Sequence, residues 1–474
     1  MDIDIFDGLC RSLLGTAPEK RVSLPQAGGD REYWRLSMPC GCIPDSVLGV
    51  KADSVADAKA FVGLADVFED NDVNVPSVIA SSDDCRYYIV EDLGECSLFS
   101  MLGSEAAAGL VGKTLDELVR MQTVPLSEWQ DVVAYKPFSR RQILWDFNYF
   151  KYEYLKNSSV AFDEDALEDD FEAFADRLLS FPRGEWGFMM RDCQSRNVMV
   201  RGNEPFFIDF QGGRFGPCLY DAVSFLWQAK AGFGPDFRDV MVSRYISALA
   251  AAKNLDARRL HSELPFYVLL RTLQVLGAYG YRGLVQKRAH FVESIPGALV
   301  NLRRLVEDGT LGDFKELERV CRLLVDDCRF NRVLSDGKLH VKVFSFSYKR
   351  GYPADYSGNG GGFMFDCRGM HNPGRYEEYR QLTGLDAPVI GFLKQKGEID
   401  LFVDKAIGLV SPTVTRYIKR GFSSLQIGFG CTGGRHRSVY SAQAVAQKLA
   451  VLFPDAIIEL FHREQNISQF FNVE

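Results

Sequence analysis

Apolar residues follow two rhythms along this chain. Short runs bounded by turn residues, at Val78-Ile79-Ala80, Tyr87 to Val90, Leu339 to Ser347 and Leu425 to Gly430, predict strands. Longer stretches carry apolar positions at helical spacing: residues 1–20, 54–70, around Leu110 to Met121 and Phe138 to Leu155, then 221–232, 236–253, 264–282, 294–306, 313–329 and 439–449. Residues 21–53 predict strands around a glycine turn, and 95–186 are largely helical. Ser54 is placed to cap the helix that follows it. The aromatic run Trp145, Phe147, Tyr149, Phe150 and Tyr152 is expected to be core.

Between the two long helical blocks the rhythm breaks at Gly187 to Phe210. An apolar run delivers Arg191-Asp192, Asn197 follows five residues later, and a second apolar run from Pro205 to Ile208 delivers Asp209. A polar Arg-Gly-Asn-Glu-Pro turn joins the two runs into a hairpin. An aspartate, four residues, an asparagine, a hairpin and a second aspartate is the spacing of a kinase-type phosphotransfer loop. Asp192 at the loop mouth can accept a proton from an attacking hydroxyl. Asn197 and Asp209 are oxygen donors suited to Mg2+.

Upstream, the turn around Gly28-Gly29 between strands either lets backbone N–H groups approach phosphates or closes a plain hairpin. Lys51, ending Val47-Leu48-Gly49-Val50-Lys51, is either a phosphate-contacting lysine or a solvated one. Glu91-Asp92-Leu93-Gly94 ends a strand.

Met-Arg-Asp-Cys-Gln-Ser-Arg-Asn-Val-Met-Val and Ile-Asp-Phe-Gln-Gly-Gly-Arg-Phe-Gly-Pro-Cys-Leu-Tyr-Asp resemble the aminoglycoside phosphotransferase family. Within it they are most similar to the anomeric kinases for N-acetylmuramate and N-acetylglucosamine in cell-wall sugar recycling. The resemblance implies ATP and Mg2+ as cofactors, a nucleotide loop at Gly28 and Gly29, and an adenine hinge at Glu91 and Leu93. It implies a small-molecule amino sugar as acceptor, with Arg191 and Gln194 at the substrate. Gln274 and Tyr279, on the helix Arg-Thr-Leu-Gln-Val-Leu-Gly-Ala-Tyr, are either sugar contacts or packing residues. Met190 stands where these kinases carry histidine.

The second constellation is Cys431-Thr432-Gly433-Gly434-Arg435-His436-Arg437-Ser438, between the strand Leu425 to Gly430 and the helix Val439 to Leu449. A helix start offers free N–H donors and partial positive charge, and an arginine can grip two phosphate oxygens. The spacing Cys431-x5-Arg437-Ser438 also matches a cysteine-phosphatase loop. From about residue 341 onward the chain is similar to the C-terminal domain of the RNase adapter RapZ. The matches include Ser-Phe-Ser-Tyr-Lys-Arg-Gly, Phe-Asp-Cys-Arg-Gly-Met-His-Asn-Pro and Gly-Cys-Thr-Gly-Gly-Arg-His-Arg-Ser-Val-Tyr. That resemblance implies a sugar-phosphate site at the loop Cys431 to Ser438, with Asp366 and Arg368 beside it. In that family the domain also binds a small RNA. Here Arg435 replaces the usual lysine, Gly374 stands near the expected ligand histidine with His371 close by, and a basic tail is lacking, which weighs against RNA.

The expected architecture is an α+β two-lobed kinase-like (aminoglycoside phosphotransferase) domain followed by an α/β sugar-phosphate-binding domain. The first spans residues 1–335, with a small lobe of about 1–94 and a large lobe of about 95–335, and the second spans 338–474. The boundary falls at the polar turn Ser335-Asp336-Gly337-Lys338. Glycines at 358–362 predict a mobile loop. Composition narrows the picture only slightly. Of the net charge of −8, residues 341–474 carry +4 and the front −12, which suggests two units with different partners. The eleven cysteines have no metal-site spacing, the N-terminus is too acidic for a signal peptide, and no apolar run is long enough to cross a membrane. A cytoplasmic protein without membrane partners is expected.

Overall fold

The computed structural model describes residues 2–25, 31–158, 160–292, 294–326, 338–353, 362–395 and 397–472. The chain divides into two compact units, Met1–Val285 with Ser294–Asp327, and Gln286–Glu293 with Cys328–Glu474. The predicted boundary turn at 335–337, and all of the glycine cluster except Gly362, lie outside the described residues.

The first unit opens with an antiparallel sheet of five strands: β1 Lys20–Ser23, β2 Glu32–Ser37, β3 Ser46–Lys51, β4 Val78–Ser81 and β5 Tyr87–Glu91, in the order β1-β2-β3-β5-β4. The helix Asp2–Leu14 lays Phe6 against Trp34 and Tyr87, with ring centroids 5.3 and 5.8 Å away. Ser54 caps the helix Val55–Asp70 as expected, its hydroxyl accepting from the Asp57 N–H at 3.2 Å. That helix buries Ala58, Ala60, Phe61, Leu64, Ala65 and Phe68, a wholly apolar inner face.

The rest of this unit is helical apart from two short antiparallel pairs. One joins β6 Trp186–Met189 to β9 Arg214–Pro217, and the other joins β7 Val198–Arg201 to β8 Glu204–Phe207. The helix Ala257–Tyr279 starts earlier than the predicted 264 because Asp256 caps it and Pro265 is accommodated inside it. Near its C-terminal end it approaches the segment Lys151–Leu155 so closely that a Cβ on Gly280 would sit 2.2 Å from the Glu153 carbonyl oxygen. The aromatic run divides between two faces instead of forming core throughout. Phe147 and Phe150 are buried, whereas Trp145 is 58% and Tyr152 50% exposed. Helical spacing puts Trp145, Tyr149 and Tyr152 on the face opposite the inward pair.

The second unit is a mixed sheet in the order β11-β12-β10-β13-β14, formed by β10 Leu339–Ser347, β11 Phe363–Asp366, β12 Ser424–Cys431, β13 Ala456–His462 and β14 Ile467–Phe471. Only β13–β14 is antiparallel. Val341, Val343, Ile427, Phe429, Ile458 and Leu460 form its core with the helices Glu398–Lys419 and Arg437–Leu452. These residues alternate along their strands, with His340, Lys342, Gln426 and Glu459 at the intervening positions, so they share the sheet face that the helices cover. Among the described residues of the chain, no helix is long and apolar enough to cross a membrane.

Candidate functional site

In the first unit, β6 is buried along its whole length and is followed by Met190, also buried, so an apolar side chain fills the position where histidine was expected. The chain then turns sharply. Arg191 and Asp209 both have positive φ, 73° and 63°, a conformation that costs energy for any residue but glycine and clusters at functional loops. Asp221, fully buried, holds the turn by accepting the N–H groups of Met190 at 2.6 Å and Arg191 at 2.8 Å. Burial pushes the Asp221 carboxyl up to about 7, and the two N–H bonds oppose that rise.

Asp192 is 41% exposed at the mouth of the loop. Its Oδ1 accepts from Gln194 Nε2 at 2.5 Å and Arg271 Nη2 at 3.1 Å, and its Oδ2 from Arg196 Nη2 at 3.3 Å. Asn197 Nδ2 donates to the Asp192 carbonyl at 2.9 Å, which fixes the orientation of the amide oxygen. Gly202 and Asn203, both at positive φ, close the β7–β8 hairpin as a two-residue turn matched to strand twist. The hairpin returns the chain so that the Ile208 N–H donates to the Asn197 carbonyl at 3.0 Å. Asp209 follows, 45% exposed, with Oδ1 accepting from Gln211 Nε2 at 2.8 Å. An oriented amide oxygen and an accessible carboxylate, one residue beyond a shared backbone bond, fit a hard divalent cation that takes its remaining ligands from phosphate and water.

The acceptor side differs from expectation at one residue. The side chain of Arg191 turns inward to bond Asp146 Oδ1 at 2.8 Å, because a carboxylate with no exposure needs a charged partner. Burial raises the Asp146 carboxyl, and Arg191 opposes this. Gln194 braces Asp192, and Gln274 accepts from Arg271 Nη1 at 2.7 Å. Gln194, Trp227, Gln228, Arg271 and Tyr279 line a small pocket of about 30 Å3. Asp146 and Gln228 carry no signal in the sequence, whereas Asp221 and Arg271 stand there only as members of longer motifs. Arg271 had a visible signal, an arginine inside the apolar run Tyr267 to Leu276.

On the nucleotide side, Gly28 and Gly29 lie outside the described residues. Lys51 Nζ stands 3.5 Å from Glu32 Oε1. The Glu91 N–H bonds the Ser77 carbonyl at 3.0 Å, and its carboxylate bonds Arg201 at 2.5 Å. Leu93 is buried in the turn that follows. Asp92 sets that turn, accepting from Arg35 Nε, Ser46 Oγ and the Gly94 N–H at 2.7 to 2.9 Å.

In the second unit the loop Thr432 to His436 joins the end of β12 to a helix start, as predicted. Ser347 Oγ donates to the Thr432 carbonyl at 2.8 Å. Gly433 is open to its surroundings, and Gly434 has φ 63°. The basic side chains do structural work. Arg437 Nη1 bonds the carbonyls of Arg368 and Met370 at 2.9 and 2.8 Å, Arg435 bonds the Arg380 carbonyl at 3.0 Å, and His436 Nε2 lies 2.9 Å from the Tyr379 carbonyl. Arg368 in turn pairs with Asp366 at 2.7 Å and covers Tyr348. Cys431 Sγ is 3.1 Å from Ser438 Oγ. Burial opposes ionisation of this thiol, but bonds from Ser438 and the charge of Arg437 bring its pKa below the ordinary value. Nearby, His371, Tyr376, Phe392 and Glu398 line a cavity of about 150 Å3.

Two family models match. Residues 45–260 match the phosphotransferase enzyme family, and residues 339–466 match the RapZ C-terminal domain. A nucleotide-binding protein of Lactobacillus helveticus is 37% identical over 124 residues, covering 26% of this chain and 40% of that protein. A nucleotide-binding protein of Lactobacillus acidophilus is 36% identical over the same shares. The chain thus spans about 40% of the length of these curated relatives. Among solved structures, a choline kinase from Cryptosporidium parvum aligns over 67% of this chain and 99% of its own, with a TM-score of 0.48 and 12% identity. A putative aminoglycoside phosphotransferase from Ralstonia eutropha aligns over 66% and 96%, with a TM-score of 0.47 and 13% identity. Residues 45–260 are thus similar to the phosphotransferase enzyme family, and residues 339–466 to the RapZ C-terminal domain.

Proposed function

We propose that the first unit transfers the γ-phosphoryl group of ATP to a hydroxyl of a hexosamine-type sugar. The anomeric hydroxyl is the expected acceptor, as in N-acetylmuramate and N-acetylglucosamine kinases of cell-wall recycling. The observation that carries the reading is the linkage of Asp192, Asn197 and Asp209 through two hydrogen bonds, from the Asn197 side-chain amide to the Asp192 carbonyl and from the Ile208 N–H to the Asn197 carbonyl. Asp192 takes the proton of the attacking hydroxyl, and Arg271 and Gln194 hold its carboxylate in place. Asn197 and Asp209 would hold Mg2+, which when bound neutralises charge on the transferring phosphate. Positioning and charge neutralisation carry most of the rate in this chemistry. The pocket beside Asp192 is lined by Gln194, Gln228 and Tyr279 and by Arg271, itself paired with Asp192, and these polar groups support a hydroxyl-rich acceptor.

The second unit binds a sugar phosphate as a sensor or regulator of the first. Thr432 and Gly433, in the loop before the helix Arg437–Leu452, and Arg437 at the helix start would carry the sugar-phosphate contact. Asp366, Arg368, Arg435, His436 and Arg437 shape that loop by the bonds described above.

The test is purified protein with labelled ATP and a panel of amino sugars, with the product position assigned by NMR. A phosphorylated sugar is expected. ATP turnover with none of the sugars would remove the sugar assignment.

A further inference from the structure

We infer that Arg31 supplies the cation for the donor nucleotide's phosphates, in the role that a β3 lysine plays in kinase-like folds. The inference rests on the phosphotransferase reading above. Arg31 immediately precedes β2, and its side chain is only 12% exposed. Its Nη1 lies 3.7 Å from Asp209 Oδ1, beyond hydrogen-bond length but well inside ion-pair reach. The guanidinium carbon sits 5.7 Å from the centre of the Phe61 ring. Phe61 itself stacks on Tyr88 at 5.3 Å and on Phe210, the residue after Asp209, at 4.7 Å. An aromatic floor built from three elements therefore holds a desolvated arginine against the candidate metal aspartate.

Kinase-like folds ordinarily fix the β3 lysine with a glutamate on the inner face of the following helix. Here that face is apolar, and Phe61 occupies its centre. Lys51, at the end of β3, stands beside Glu32 on the neighbouring strand. The aromatic stack has replaced the helix carboxylate, and the cation has moved one strand over, to Arg31. The planar fork of an arginine can bond two phosphate oxygens at once, which a lysine cannot do.

The test is calorimetric titration of the full chain with Mg2+ and a non-hydrolysable ATP analogue, with adenosine as a ligand that has no phosphates. Arg31→Gln should weaken the analogue about 10- to 100-fold and leave adenosine affinity unchanged. Lys51→Gln should change either affinity less than about threefold. Arg31→Lys, which keeps the charge and guards against a folding defect in the glutamine variant, should fall between wild type and Arg31→Gln. Melting curves establish that each variant is folded. Loss of binding in Lys51→Gln equal to or greater than in Arg31→Gln overturns the inference, as does an unchanged affinity in both arginine variants. A wild-type chain that binds neither analogue nor adenosine removes the phosphotransferase reading and this inference with it. Wild-type binding with the variant order reversed removes the inference alone.

Discussion

The Arg271 guanidinium lies 3.1 Å from the Asp192 carboxylate, reaching it from a helix position 79 residues further along the chain. Together with Gln194 it fixes Asp192 before any substrate arrives. Asp192→Asn should keep that scaffold, since an amide oxygen can still accept both bonds. It removes the proton acceptor. Turnover should fall about 100-fold or more while Mg-ATP affinity stays near wild type. Wild-type turnover in Asp192→Asn would show that another group takes the proton.

Asp209 is expected to act earlier, at nucleotide binding. Its carboxylate is accessible and stands beside Arg31 and Gln211. Asp209→Ala should lose the Mg2+-dependent part of ATP affinity as well as turnover. A calorimetric titration that gives the same affinity for Mg-ATP in the variant and the wild type would count against the metal assignment.

The loop was legible in the sequence because its chemistry is local. Asp192, Asn197 and Asp209 are joined by a hairpin whose turn residues are written in the same stretch, and Ser54 announced its helix by type and position. The residues that brace the loop were not legible. Asp221, Asp146 and Arg271 reach it only through the tertiary fold, and a buried carboxylate or arginine looks in sequence like any other charge. Arg191 shows the same limit. Next to Asp192 it looked like a substrate contact, yet one of its nitrogens bonds a buried Asp146 45 positions away. In the second unit, the loop's basic residues suggested an anion grip, and the sequence held no sign that Arg435 and Arg437 also support neighbouring carbonyls. Spacing shows which residues meet on one loop, but not what else competes for their donors.

Asp221 provides a direct measure of how much the loop depends on such bracing. Replacing it by alanine leaves the N–H groups of Met190 and Arg191 without their acceptor inside a buried turn. Each orphaned donor costs about 1–3 kcal/mol, so Asp221→Ala should lose a few kcal/mol of stability. Urea unfolding would check this, and a loss below about 1 kcal/mol would mean that the turn holds itself.

His462 gives the second unit a defined acid sensitivity. It is fully buried between Ser345 Oγ at 2.9 Å and Gln443 Oε1 at 3.1 Å, and burial pushes its pKa down to about 4. Above pH 6.5 or so the ring is neutral in folded and unfolded chains alike, and it costs nothing. As pH falls from there toward 4, the unfolded chain takes up a proton that the folded chain refuses. Stability should therefore decline across that window, by up to about 3 kcal/mol, and no further below it. His462→Gln should lose less stability than wild type between pH 7 and 4.5 in parallel melting curves. Equal losses would show that His462 titrates normally in the folded state.

Cys431 should belong to an anion-binding loop without serving as a nucleophile. Its thiol is almost fully buried, lies 3.1 Å from Ser438 Oγ, and has a pKa below the ordinary value. These features also suit a phosphatase cysteine, so they do not separate the two readings. The residue before the cysteine separates them, since phosphatase loops of this type carry histidine there. The position before the cysteine is Gly430, where a Cβ would lie 2.6 Å from the rings of Phe346 and Tyr348, so no histidine fits there. Cys431→Ser should then leave binding of a hexosamine phosphate within about twofold of wild type, because the backbone donors of the loop are unchanged. Arg437→Ala should weaken that binding and also lower the melting temperature, since two carbonyls lose their partner. Wild-type protein incubated with the same ligand should release no inorganic phosphate. Release that disappears in Cys431→Ser would turn this loop from a binding site into a phosphatase centre.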